Sequence, residues 1–284
     1  MQSKTMKMEL IDTAEWMAWY RAEESQINPI EFYDPMAVEL FTHKDHKTYE
    51  RMTFGKSLRW AFSARTHLMD RLLCQCLEEE GIEVVVNIGC GYDARPWRLP
   101  LNSGLTWYDV DDGRILKVKE EFHLRHPLAF RYNSISCEPP AIFIHLERIL
   151  LENSQKKVLI LSEGLIYYMG EAEIKGLCQL IGAHQAIWWL TDYVSPGLKT
   201  IMNLAAGGAR PKFLSAPMPE DLRWGELIDV KKYPLVFYAF EERLLPKWMR
   251  FLTQFLYLYP RNLRERWFGS SGVALFRCTP QPRA

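Results

Sequence analysis

The chain has 284 residues, enough for one or two domains and for a large buried core. Hydrophobic residues make up 48% and charged residues 25%, which excludes a disordered, collagen-like or low-complexity polymer. The 35 basic residues balance 35 acidic ones, so no global field draws the protein to nucleic acid or to an anionic membrane.

The start of the chain is acidic early and lacks the apolar stretch of a signal peptide. The run Gly176 to Thr191 is shorter than a spanning helix requires, so no stable membrane insertion is expected. The 6 cysteines show neither disulfide-framework nor zinc spacing, which points to a reduced, cytoplasmic setting without a bound metal. The 10 tryptophans suit either a bulky core or a pocket for a flat ligand.

Residues 1–82 read as a helical cap. Asp12 or Thr13 can cap a helix running to about Arg21, and Asn28-Pro29 breaks it. Asp34-Pro35 opens a short helix over Met36–Phe41, with proline in the first turn. Apolar residues at helical spacing predict a longer helix from Ser57 to Glu80, stopped by Gly81.

From Glu83 to Tyr193 the pattern alternates. Strands are predicted over Val84–Ile88, Leu105–Val110, Leu128–Tyr132, Val158–Leu161 and Ala186–Thr191. Helices are predicted over Gly113–Leu124, Ala141–Leu151 and Glu171–Ile181. Nearly continuous apolar strands alternating with helices imply an α/β fold with a doubly wound, mostly parallel, Rossmann-like sheet. Residues 194–284 read as a lid or substrate insertion, rich in Gly and Pro over 195–220, followed by the last strands. Strands are predicted there at Tyr233–Phe240 and Gly272–Cys278, with a helix between them over Glu241–Phe255. Arg243 to Arg266 is basic with interleaved aromatics; such a helix can lie on a membrane or cover an acidic substrate, and the favoured reading is a lid helix with solvated arginines. No linker argues for more than a single domain over 1–284.

The chemistry-bearing stretch is Asn87-Ile-Gly-Cys-Gly-Tyr-Asp-Ala-Arg95, which follows a predicted strand. Gly89 and Gly91 let the backbone turn tightly and approach a ligand. Asp109 and Asp111 end the next strand, and Asp111 lies 20 residues after Gly91, where a carboxylate can accept from a ribose diol. Ala94 also satisfies the nicotinamide pattern G-x-G-x-x-G/A, which keeps an NAD(P)-dependent oxidoreductase in play. Asp93 inside the motif would repel a pyrophosphate. A nucleoside cofactor with an amino-acid tail and no phosphate fits better, and S-adenosyl-L-methionine has that form.

With these residues in place, the sequence resembles the leucine carboxyl methyltransferase family. The matching pieces are Asp34-Pro35-x-Ala37, Ala64-Arg65-Thr66, Asn87-x-Gly-x-Gly-x-Asp93-x-Arg95-x-x-Arg98-Leu99, Trp107-Tyr-Asp-Val-Asp111 and Ser162-Glu-Gly-Leu-Ile-Tyr-Tyr-Met169. The resemblance implies a class I methyltransferase fold and S-adenosyl-L-methionine as cofactor. It implies that Arg65 holds the carboxylate of the cofactor's tail, with Gly89 close to that tail. Asp111 would take the ribose hydroxyls, and Glu163 would line the pocket. For Arg95 and Arg98 two readings stand, contact with the cofactor or, favoured, fixing the loop beneath it. Ser134 and Ile135 stand where the family has an Asp-Leu pair that reads adenine, and no lysine precedes Asp34-Pro35.

The expected activity is an O-methyl transfer to a carboxylate or hydroxyl of a small molecule or a peptide C-terminus. A carboxylate acceptor needs no base, whereas a hydroxyl gains from one, and His67, His184 and Tyr168 are the candidates. Tyr167 or Tyr168, just after Glu163, is placed to face the acceptor, and Tyr168 is the candidate for positioning it. A catalytically silent S-adenosyl-L-methionine-binding protein is the remaining alternative.

Overall fold

The computed structural model describes residues 10–27, 32–42, 55–138, 141–184, 186–196, 214–219, 227–242 and 271–278, plus 199–200, 203, 222, 244–245, 249–251 and 253. Seven strands form one sheet: β1 (Val84–Ile88), β2 (Thr106–Asp111), β3 (Arg131–Ser136), β4 (Val158–Ser162), β5 (Ile187–Val194), β6 (Leu227–Pro234) and β7 (Ser271–Cys278). Their order is β3-β2-β1-β4-β5-β7-β6. The pairings among β1 to β5 are all parallel, and β7 runs antiparallel to both β5 and β6. The sheet is therefore doubly wound and mostly parallel, as the alternating pattern predicts. Every residue of β1, β4 and β5 is buried, because helices cover both faces and no side chain can escape to water.

Among the described residues, three helices precede the sheet: α1 (Leu10–Ile27), α2 (Pro35–Phe41) and α3 (Gly55–Glu79). Asp34 caps α2 by accepting from the Ala37 N–H at 2.8 Å, and Pro35 sits in the first turn. Gly81 ends the approach to β1 in the left-handed region, with φ +66°. Trp16, Trp19 and Tyr20 of α1 pack with Met36 and Phe41 of α2 and with Tyr92 after β1. Arg21 reinforces this docking. Its Nε donates to Asp34 Oδ2 at 2.8 Å and its Nη2 to the Tyr92 carbonyl at 2.6 Å. The cap is thereby fastened to the loop that carries Gly89 and Gly91. Further helices are α4 (Arg95–Arg98), α5 (Gly113–Arg125), α6 (Ile142–Glu152), α7 (Glu171–Gly182) and α8 (Leu235–Glu241).

Two expected strands are corrected. β3 lies over 131–136 rather than 128–132, and its residues are only half buried or exposed. It is an edge strand paired only with β2, so it needs little apolar side-chain area and Arg-Tyr-Asn-Ser-Ile-Ser carries little signal. The predicted strand Tyr233–Phe240 is in fact the end of β6 followed by α8. Pro234 closes the strand, and Leu235, Tyr238 and Ala239 bury themselves at helical spacing. The aromatic composition of Leu-Val-Phe-Tyr-Ala-Phe favours a strand, but packing decided for a helix. Much of the predicted helix Glu241–Phe255, most of the basic segment 243–266 and most of 195–220 lie outside the described residues. Among the described residues, no helix is long and apolar enough to cross a membrane.

Candidate active site

The carboxyl ends of β1, β2, β4 and β5 open onto one cavity of about 850 Å³, at the point where the strand order reverses. Clefts of this size at this place hold cofactors in open α/β sheets. Arg65, Gly89, Gly91, Asp111, Glu163 and Tyr168 all line it. Its apolar walls include Trp16 and Met17 of α1, Phe62 of α3, Leu165 after β4, and Leu235 of α8.

The floor is the turn after β1. Gly89 and Gly91 have φ of +62° and +50°, which only glycine adopts without strain. A Cβ at Gly89 would lie 2.8 Å from Leu165 Cδ1, whereas one at Gly91 would meet Ala14 Cβ at 3.3 Å. Gly89→Ala should therefore cost about 1–2 kcal/mol through the left-handed backbone alone, and more than Gly91→Ala. Urea unfolding of the two variants checks the order.

Asp111 ends β2 with its carboxylate already engaged. Oδ2 accepts from the Gly91 N–H and Oδ1 from the Asp112 N–H, both at 2.6 Å. Each oxygen keeps a further lone pair for a ligand hydroxyl. Burial pushes the Asp111 carboxyl up, and the two backbone N–H groups oppose that. Asp109, two residues earlier, faces the interior. It accepts from Trp107 Nε1 at 2.8 Å and the Tyr132 hydroxyl at 2.6 Å, and pairs with the fully buried Lys119 at 2.7 Å. Asp109 is thus structural and Asp111 is the one on the cavity.

Beneath the floor runs a chain of buried ion pairs. Arg95 reaches Asp70 at 2.7 Å, Asp93 at 2.8 Å and Glu163 at 2.7 Å. Arg98 closes a fork on Asp70, and Asn87 donates to Asp93 at 2.9 Å. Arg95 and Arg98 do not line the cavity; they hold its floor, as the sequence suggests. Glu163 also accepts from Arg65 Nε at 2.9 Å. Burial alone would raise the Glu163 carboxyl, but Arg95 and Arg65 overcome it and hold it at about 2.

Arg65 projects from α3 and is mostly buried, so it is no surface ion pair. Besides Glu163 it meets Asp192 Oδ2 at 2.8 Å, Met17 Sδ at 3.6 Å and the ring of Phe62 at 5.5 Å. Asp192, Tyr193 and Val194 line the cavity because β5 continues past Thr191, where the sequence pattern appeared to end it. Asp192 was missed for that reason, although a carboxylate inside an apolar strand was the available signal.

Ser134 and Ile135 are not among the lining residues. The Ser134 hydroxyl bonds to Glu120, and Ile135 packs on the core. Their places at the rim are taken by Cys137 and Ile142, because β3 runs on to Ser136 and the chain turns into the cavity only after it. His67 and His184 do not line the cavity either; His67 stacks on Phe32 at 5.0 Å.

The sheet order, with the cleft at its switch point, defines a class I methyltransferase fold. The family model for leucine carboxyl methyltransferase matches residues 14–182, and the chain belongs to that family. Over 61 residues it is 36% identical to a Mycobacterium sp. (strain MCS) protein provisionally named an S-adenosyl-L-methionine-dependent methyltransferase; the match is 20% of this chain. The chain spans about a quarter of the length of that curated relative, since the match covers 25% of it. Among solved structures, a DUF574 family protein from Streptomyces avermitilis aligns with 95% of this chain and 100% of its own, at 12% identity and TM-score 0.54. A Thermobifida fusca protein, provisionally named a methyltransferase, aligns over 98% and 97%, at 11% identity and TM-score 0.51. At these identities the likeness is one of fold. S-adenosyl-L-methionine is the cofactor that goes with this family. The polar groups on the cavity suit it: a cation and a carboxylate for a zwitterionic tail, and a carboxylate for a diol.

Proposed function

We propose that this chain transfers a methyl group from S-adenosyl-L-methionine to a carboxylate or hydroxyl oxygen of a small molecule or a peptide C-terminus. The observation that carries the reading is the bond from the Gly91 N–H to Asp111. In a dinucleotide site the backbone N–H groups of this turn face a pyrophosphate. Here that donor is taken by a carboxylate, and the buried Asp93 is held ionised nearby, burial being overcome by Arg95 and Lys119. A phosphate-free nucleoside suits such a floor and a nicotinamide dinucleotide does not.

When bound, the cofactor supplies an activated methyl on a sulfonium. The chain's own residues bind, orient and exclude water. In this reading Arg65 and Glu163 hold the tail, Asp111 holds the ribose, and the aromatic walls shield the reacting centre. Tyr168 positions the acceptor. Of the three candidate bases, Tyr168 lines the cavity, so a carboxylate that arrives ionised and a hydroxyl assisted by Tyr168 both suit the site. Residues 1–82 act as the cap, 83–193 as the cofactor core and 194–284 as the substrate region of one domain.

The test is a thermal shift series with S-adenosyl-L-methionine, S-adenosylhomocysteine, NADH and NADPH. It is followed by a screen of carboxylic acids, phenols and peptides with free C-termini against labelled cofactor. Stabilisation by the first two ligands and label on an acid or phenol are expected. Stabilisation by a nicotinamide nucleotide alone overturns the reading. Tight binding without label on any acceptor would mark a silent binding protein instead.

A further inference from the structure

We propose that Asp192 is a positioning residue of the cofactor-tail site, acting through Arg65. This rests on the proposed function, in which Arg65 receives the tail carboxylate.

Asp192 lies near the end of β5, is 1% exposed and lines the cavity. One carboxylate oxygen accepts from Arg65 Nη1 at 2.8 Å and the other from the Gly164 N–H at 2.8 Å. The Tyr167 hydroxyl donates to the same carboxylate. A single side chain thus joins the guanidinium from α3 to the turn after β4 that carries Glu163, Leu165, Tyr167 and Tyr168. Gly164 in that turn has φ +70°, so its N–H is aimed by a backbone shape that few other residues adopt.

The arginine fork has five N–H donors in fixed directions. Glu163 takes the Nε edge and Asp192 takes Nη1, which fixes the plane of the group. Nη2 faces the thioether of Met17 at 3.6 Å, a weak acceptor. The strong acceptors therefore hold the fork from two sides, and its third side meets the poorest one, where an incoming carboxylate gains most. Holding a long side chain in one conformation before the ligand arrives lowers the cost of ordering it on binding. Burial pushes the Asp192 carboxyl up, and Arg65, the Gly164 N–H and the Tyr167 hydroxyl oppose it.

The test is a double-mutant cycle read by calorimetry. Dissociation constants for S-adenosylhomocysteine and for 5′-methylthioadenosine, which lacks the tail, are measured on wild type, Asp192→Ala, Asp192→Asn, Arg65→Ala and the Arg65→Ala/Asp192→Ala double variant. Asp192→Ala should weaken S-adenosylhomocysteine at least 10-fold and methylthioadenosine less than 2-fold. Asp192→Asn should fall between, because its carbonyl still accepts from Gly164 but carries no charge for Arg65. In the Arg65→Ala background, removing Asp192 should add less than a further 2-fold loss. If Asp192→Ala does not fold, Asp192→Asn alone and with Arg65→Ala decides by the same criteria. Equal losses for both ligands, or full additivity with Arg65→Ala, overturn the proposal. A tail-specific loss in Arg65→Ala but none in either Asp192 variant sinks the positioning role and leaves the Arg65 reading standing. An equal loss of both ligands in Arg65→Ala removes that reading, and the proposal with it.

Discussion

Arg95→Ala is expected to cost about 3–5 kcal/mol of folding stability, the range for removing one partner from a buried ion pair. Arg95 is fully buried and touches three carboxylates, those of Asp70, Asp93 and Glu163, within 2.8 Å. Its loss leaves buried negative charge with too little compensation, and Ala leaves a cavity as well. Lys at this position keeps the charge but lacks the fork that reaches three acids, so it should recover only a small part. Urea unfolding gives the midpoint shift. The effect has a defined pH dependence. Glu163 is held at about 2 from a usual value of 4.5, with Arg95 the leading attractive partner. A carboxyl depressed in the folded state contributes stability above its unfolded value, and that contribution is lost as pH falls through the folded value. The gap between wild type and Arg95→Ala should therefore be widest above about pH 4.5 and narrow toward pH 2. A constant gap across that range would mean that Arg95 acts by packing and not by charge.

Asp111→Ala should weaken S-adenosyl-L-methionine and S-adenosylhomocysteine by about 1–3 kcal/mol, the cost of losing a charged hydrogen-bond partner, or roughly 5- to 150-fold in affinity. Methylthioadenosine carries the same ribose and should lose as much, which separates this effect from one at the tail. Asp111 also accepts from Gly91 and Asp112, so the variant loses a modest amount of stability as well. Affinity measured well below the melting point separates the two. Unchanged affinity for all three ligands would show that Asp111 only shapes the turn.

The buried charges explain why the loss of Arg95 should be severe. Arg65, Arg95 and Arg98 are interleaved with Asp70, Asp93, Glu163 and Asp192 beneath and beside the cavity. Members of such a network polarise and position one another, so each partner fixes the direction of the next. The floor of the site is in this sense a rigid ionic layer under an apolar-walled cleft.

Local sequence determined the frame. Val84–Ile88 and Val158–Leu161 read as buried strands, because a short, nearly continuous apolar run has no polar face to give to water. Asp34-Pro35 and Gly81 mark helix ends by their own backbone and side-chain chemistry, which needs no tertiary partner. Gly89, Gly91 and Asp111 were legible because the glycines lie at one strand end and the carboxylate at the next, and parallel pairing brings adjacent strand ends together. The tertiary structure decided the rest. Which acid pairs with Arg65 depends on groups 98 and 127 residues away, and no local spacing encodes that. The edge position of β3 removed its apolar signal, so its register, and hence the choice of Cys137 over Ser134 and Ile135 at the rim, followed only from pairing with β2. At Leu235–Glu241 propensity favoured a strand, but Pro234 and the need to bury Leu235, Tyr238 and Ala239 on one face made a helix, because burial outweighs the few tenths of a kcal/mol by which local propensities differ.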